Sequence, residues 1–322
     1  MVLNKKGWSF LKIIAPILLG AFFIAYSFSN TTPEDRQNIL EAIQNADFRF
    51  VILSVFIGIV SHLSRAYRWR LMLAPMGHHI SFTNSVLIVL ITYLSNLGIP
   101  RSGEFLRATA LKTYENVPFE KGFGTIVTER MIDVLLLFIV LIIGGLLNTE
   151  LLSAYFPTSS VIGILVLILA FVIVFFLGIR SIGRSSSNPW IKKMVAFFRG
   201  LLEGILSIRK IPKKQSFITH SVLIWVLYIL MFYVIKYSLP ETTDLSLIQI
   251  IPAFIAGAFS ISATNGGVGV YPVAVSAILM GFGISLEASL AFGWIMWTSQ
   301  TLMIVVFGSI SFLLLPVLNR NN

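Results

Sequence analysis

The sequence predicts an all-α polytopic membrane protein, with about six full transmembrane helices and two re-entrant helical hairpins arranged as an inverted repeat. Three observations carry this. Of 322 residues, 56% are hydrophobic and 12% charged, and several apolar runs approach or exceed the roughly 20 residues a helix needs to cross a bilayer. Lys and Arg cluster between those runs in a way the positive-inside rule can use to orient them. Two regions hold paired apolar runs too short to cross, interrupted by Gly and Pro.

Lys5, Lys6 and Lys12 precede an apolar run from about Ile13 to Phe28, read as a first span, with a cleavable signal peptide as the competing reading. Glu34, Asp35, Glu41 and Asp47 mark the next segment as external. A second span, about Phe48 to Ser64, ends in Arg65, Arg68 and Arg70, a cytoplasmic signature. If Ser81 to Leu97 then crossed fully, the nine Lys and Arg between Arg180 and Lys214 would fall outside. A hairpin over residues 81–118, entered from the cytoplasm and turning near Gly98 and Pro100, puts them inside. Pro100 suits a first helical position. Arg101, Glu104 and Arg107 then follow three residues apart, on one helix face.

The next span, Phe123 to Leu147, begins with Glu129, Arg130 and Asp133. Asp133 precedes Asn148 by 15 residues, about 22 Å of helix against a hydrocarbon core of about 30 Å. Asp133 therefore lies within the hydrocarbon zone, and Arg130 near its cytoplasmic edge. A charge there costs roughly 3 kcal/mol and must face protein or a wet cavity. The spacing of Glu129, Arg130 and Asp133 suits a local ion pair, either a clamp between helices or part of a polar path.

A fifth span runs from about Val161 to Ile179. In the basic segment 180–214, apolar Trp190, Met194, Phe197, Leu201, Ile205 and Ile208 recur every three or four residues, as in a helix lying on the inner membrane surface. A sixth span, Phe217 to Leu239, carries Lys236 near its outer end, where snorkelling suffices. His62 and His220 show no metal-ligand pattern and read as interfacial or packed polar residues. Ile248 to Ser262, then Thr264-Asn265-Gly266-Gly267-Val268-Gly269, then a run to Met280 form a second hairpin, entered from outside. The final span, about Ser289 to Leu315, ends inside. Only Arg36, Arg49 and Lys236 are then left away from the inner face. The whole chain, 1–322, is one membrane domain, with residues 1–159 as first repeat and 160–322 as second.

This arrangement aims the half-helix N-termini at Pro100 and near Val270 at the middle of the membrane, where their partial positive charge and free N–H groups favour an anion. Gly266, Gly267 and Gly269 permit close backbone approach to a ligand, or serve only tight turning and packing. Arg101 adds a fork suited to phosphate. The candidate binding set is Arg101, Gly103, Glu104, Arg107, Glu129, Arg130, Asp133, Asn265, Gly266, Gly267, Gly269 and Gln300. Gln300 shares a face with Trp294 and Trp297 that reads equally as packing. The Gly-rich turn lacks a P-loop ending. The absence of Cys excludes disulfides and thiol chemistry. No cofactor, metal or nucleic acid is expected; the net charge of +10 reads as attraction to anionic lipid headgroups. No complete catalytic set stands out, although Glu104, Glu129 and Asp133 could act as acid or base.

Three motifs also carry a resemblance: Pro100-Arg101-Ser102-Gly103-Glu104-Phe105-Leu106-Arg107, then Thr128-Glu129-Arg130-Met131-Ile132-Asp133, then Gly266-Gly267-Val268-Gly269. In this order they resemble the flippase-like family named for the transmembrane region of lysylphosphatidylglycerol synthase. Arg101, Gly103, Glu104 and Arg107 match its first motif, and Glu129, Arg130 and Asp133 its second. Tyr271 departs from it, standing where many members carry Glu. The resemblance implies a multi-pass protein of a bacterial-type cytoplasmic membrane with both termini inside, related to the membrane part proposed to move aminoacylated phospholipid between leaflets. The chain stops at Asn322 without the soluble aminoacyl-transfer domain of the fused synthases, so synthesis of lysylphosphatidylglycerol is not expected. The expected activity is transport of an anionic or zwitterionic lipid: a phospholipid, an aminoacylated phospholipid or a polyprenyl phosphate. The alternatives are a membrane-embedded transferase acting on a lipid-linked group, and a non-catalytic membrane partner of a separate lipid synthase.

Overall fold

The computed structural model describes residue 29 and residues 32–99, 101–147, 211–264 and 266–320. Among them lie nine α-helices: α1 (Pro33–Gln44), α2 (Phe48–Leu73), α3 (Phe82–Gly98), α4 (Ser102–Glu115), α5 (Phe119–Leu147), α6 (Lys214–Ile235), α7 (Leu247–Ala263), α8 (Val270–Gly281) and α9 (Leu286–Leu318). Among the described residues, four helical stretches are long and apolar enough to cross a membrane: Phe48–Met76, Phe119–Leu147, Lys214–Ser238 and Leu286–Leu318. The chain is therefore a multi-pass helical membrane protein. The first and fifth expected spans and nearly all of the basic segment 180–214 lie outside the described residues.

Side-chain caps start the short helices. Thr32 and Asp35 cap α1 reciprocally, and the Thr32 backbone N–H, 2.7 Å from Asp35 Oδ2, helps hold that exposed carboxyl below its ordinary range. The helices α3 and α7 match one another. Each has 17 residues and begins at a serine, Ser81 or Ser246, whose hydroxyl accepts a backbone N–H three residues on.

The ends of the helices gather at two opposite faces of the molecule. At one, Asn84 at the start of α3 hydrogen-bonds both Glu115, at the end of α4, and Asn319, just past α9. The end of α2 joins them through Arg70 Nε, which donates to Ile80 O. At the other face, the Asp47 N–H donates to Ser238 O, tying the start of α2 to the end of α6. Lys236 Nζ donates to Leu245 O just before α7. The pair α3–α4 thus leaves from and returns to the first face, and α7 sets out from the second.

The turns of the two pairs meet between these faces. A Cβ placed on Gly266 would lie 3.0 Å from Leu97 Cδ2. Packing follows an exchange pattern: α5 contacts α4 and α7, whereas α9 contacts α8 and α3, and α2 lies along α6. One apolar core joins α2, α3 and α4 with Leu315 of α9, and a second joins α6, α7, α8 and α9 with Val51 of α2.

Three expectations are corrected. The second span does not end before Arg65; α2 runs on to Leu73 with Arg65 and Arg68 buried inside the protein. Helix α4 starts at Ser102, not Pro100, which lies outside the described residues, and Arg101 precedes it in left-handed conformation at φ 62°. Lys236 does not snorkel. It is 5% exposed, and its ammonium sits 4.7 Å from the ring centroids of both Tyr233 and Tyr237. The two rings and a carbonyl replace water around the charge.

A buried arginine and carboxylate cluster as candidate functional site

The second motif delivers its charges to neighbouring helices rather than to itself. Glu129 and Asp133 on α5 are buried, and so are Arg65 and Arg68 on α2 and Arg107 on α4. Arg65 Nη1 donates to both Glu129 Oε1 and Asp133 Oδ2 at 2.6 Å, and its Nη2 donates to the Tyr228 hydroxyl of α6 at 3.0 Å. Arg68 Nη2 donates to Asp133 Oδ1 at 2.9 Å. Arg107 grips Glu129 with both Nη atoms, at 3.2 and 2.9 Å. Such forks are the geometry in which arginine outperforms lysine.

Apolar and small residues fix this constellation. The Arg107 guanidinium lies 3.9 Å from the Trp69 ring centroid, and Trp69 Nε1 donates to Thr125 Oγ1 at 2.9 Å. Trp69 on α2 thereby holds the α4 arginine and the Thr125 side chain of α5 in one frame. Gly122 lets α5 approach α4, since a Cβ there would come within 2.8 Å of Leu111 Cδ2.

Three guanidinium groups face two carboxylates, so the cluster carries one positive charge in excess. The Nε–H groups of Arg65, Arg68 and Arg107 are all buried, and among the described residues none has a hydrogen-bond partner. Buried donors left unpaired are costly. The cluster has both the charge and the spare donors to take up an anion.

The remaining candidate residues are dispersed. Arg130 turns away from Asp133 and approaches Glu104, Nε to Oε1 at 3.6 Å, so the expected Arg130–Asp133 ion pair is replaced by pairing across helices. Arg101 is exposed, with no hydrogen bond or ion pair among the described residues, so Arg101, Glu104 and Arg107 do not share one face. Gly103 is a packing position: its N–H donates to Asn96 Oδ1, and an added Cβ would fall 2.2 Å from Thr92 O. Gly266, Gly267 and Gly269 adopt φ of 69°, 79° and 70°, which a side chain would strain. The neighbours of the first two are Leu97, Ile261, Tyr271 and Trp297, and Trp297 Nε1 donates to Gly266 O at 2.7 Å. Tyr271 is buried on Gly257. Gln300 donates to Ser54 Oγ at 3.2 Å and ties α9 to α2. Asn265 lies outside the described residues. The His62 ring packs at a tilt against Tyr93 and the His220 ring against Tyr67, with centroids 4.6 and 4.5 Å apart.

Arg65, Arg68, Trp69 and Tyr228 are cluster members that the sequence reading did not place there. Their signal was periodicity. Ser54, Ser61, His62, Arg65, Arg68 and Trp69 recur along one side of α2, so the arginines extend a polar face rather than begin a loop.

Fold and site together define a class: a multi-pass helical membrane protein with a buried arginine and carboxylate cluster. The family model described as Lysylphosphatidylglycerol synthase TM region matches residues 13–308, and the chain belongs to that family. It is 26% identical over 274 residues to UPF0104 membrane protein PH1989 of Pyrococcus horikoshii, covering 77% of this chain and 82% of that protein. It is 25% identical over 213 residues to a UPF0104 membrane protein of Methanothermobacter thermautotrophicus, covering 65% and 58%. Over 124 residues it is 28% identical to Glycosyltransferase AglD of Haloferax volcanii, covering 38% of this chain and 19% of that protein.

Proposed function

We propose that the protein moves an anionic or zwitterionic lipid between membrane leaflets, with a phosphate-bearing headgroup held by the arginine cluster. The observation that carries this reading is the excess positive charge together with the unpartnered Nε groups of Arg65, Arg68 and Arg107. An intramembrane group so expensive to bury points to a substrate or ion path. Glu129 and Asp133 keep the site assembled when it is empty.

The finer topology belongs to the same proposal: six spans and two re-entrant hairpins in an inverted repeat, both termini cytoplasmic. It is supported by the matched helices α3 and α7, by the meeting of the two turns, and by the exchange of partners between α5 and α9. Interrupted segments at matching positions mark the transport site in other inverted-repeat carriers. A second reading, a membrane-embedded transferase acting on a lipid-linked group, is favoured by one observation, the similarity to Glycosyltransferase AglD.

The test is leaflet exchange of a quenchable phosphatidylglycerol in liposomes holding the purified protein. Wild type is expected to accelerate exchange, and the charge-balanced double variant Arg107→Gln with Glu129→Gln, if folded, to lose at least tenfold of that rate. No acceleration over empty liposomes, for phosphatidylglycerol or a polyprenyl phosphate, removes the transport reading. Covalently altered lipid would establish the transferase.

A further inference from the structure

The α4–α5 seam carries ion pairs in two layers. The inner pair is the buried, two-pronged Arg107–Glu129 contact. The outer pair, Arg130 with Glu104, is loose at 3.6 Å and partly exposed, with side chains 39% and 20% accessible. Buried Arg130 Nε and Glu104 Oε2 have no hydrogen-bond partner among the described residues.

This outer pair borders a groove of about 380 Å³ walled almost wholly by apolar surface, within the range of about 300–1,000 Å³ usual for small-ligand sites. Phe123, Val127, Met131, Val134 and Phe138 line it at helical spacing along one stripe of α5. Arg130 falls on the same stripe and is the cationic residue of the groove. Val134, Leu135 and Phe138 are exposed on a helix apolar enough to span the membrane, a surface suited to acyl chains.

We propose that this groove is a lateral binding site for a phospholipid, one acyl chain lying along Val134, Leu135 and Phe138 and the phosphate on Arg130, with Glu104 as the competing carboxylate that latches the seam when the groove is empty. The chemistry is complementary: a partly exposed guanidinium at the edge of an apolar groove matches a phosphate with a tail attached. The inference rests on the transport reading for its purpose, because the inner cluster lies directly behind the latch, one residue along α5 and one helical turn along α4. A phosphate released from Arg130 inward meets Arg107 next.

The test uses nanodiscs of the full protein and a phosphatidylglycerol carrying a photoactivatable diazirine on its acyl chain, with a diacylglycerol bearing the same chain as comparison. Labelling is expected to concentrate on residues 123–138 and to be at least fivefold stronger for the phosphatidylglycerol. Arg130→Gln and the groove-filling Leu135→Trp should each lower it several-fold, whereas Glu104→Gln should raise it by freeing Arg130. Leu146→Trp, outside the groove on the same helix, should leave it unchanged. A lattice of contacts made only for structure would weaken in both Glu104→Gln and Arg130→Gln. Labelling spread evenly over the exposed faces of α5 and α9, or equal for both lipids, overturns the proposal. Localised labelling without leaflet exchange would retain the site and remove the transport reading. Exchange without Arg130-dependent labelling would do the reverse.

Discussion

Neutralising one member of a buried ion cluster strands its partners where water does not reach. Glu129 is the hub: it accepts from Arg65 at 2.6 Å and from both Nη atoms of Arg107. We expect Glu129→Gln to cost about 3–5 kcal/mol, read as a large drop in thermal unfolding temperature in detergent. Adding Arg107→Gln should recover part of that loss, because the second substitution removes the charge that the first left unpaired. A Glu129→Gln variant as stable as wild type would mean that water already hydrates the cluster. At this scale the sequence was half legible. Charges inside an apolar span announced themselves, and the structure buries Glu129, Asp133 and Arg107 together in ion pairs. Their partners were not, because spacing along one helix ranks only local neighbours, whereas in the packed interior Asp133 pairs with Arg65 and Arg68 from another helix.

At the scale of the element, glycines decide how closely helices approach. Gly103 and Gly98 flank the same turn and differ completely in surroundings. A Cβ at Gly103 would collide with the Thr92 carbonyl oxygen at 2.2 Å, whereas at Gly98 it meets nothing within 4 Å. Gly103→Ala is therefore expected to destabilise by about 1–3 kcal/mol as α3 and α4 are pushed apart. Gly98→Ala should stay within about 1 kcal/mol of wild type. Thermal unfolding of the two variants side by side checks this, and equal behaviour would mean that the pair is not closely packed. Among the described residues the existence and approximate bounds of the longest helices were readable, since the apolar runs of α6, α9 and the second half of α5 are long and free of charge. Their exact starts were not: a polar face on α2 looks like a loop to a hydropathy count, and the left-handed Arg101 delays α4 past the proline that marks the break.

For the whole molecule, the decisive question is whether the two helix pairs enter the membrane from opposite sides. Asn84, Glu115 and Asn319 draw the start of α3, the end of α4 and the end of α9 to one face. The Asp47–Ser238 contact and Lys236 draw the start of α2, the end of α6 and the start of α7 to the other. The proposed topology makes these faces the two aqueous sides and leaves the broken helices at depth, where they are tolerated only if protein surrounds them. Arg70 and Arg320 belong to the first face, so in the proposed topology the positive-inside rule makes that face the cytoplasmic one. The chain has no native cysteine, so single cysteines report their side without background. Exposed Thr243 lies in the second-face loop and exposed His79 in the first-face loop. Thr243→Cys should react with a membrane-impermeant maleimide in intact cells, and His79→Cys only after permeabilisation. Reaction of both from outside would break the inverted repeat. The opposite order would keep the repeat and reverse its orientation, moving the basic segment 180–214 outside against the positive-inside rule.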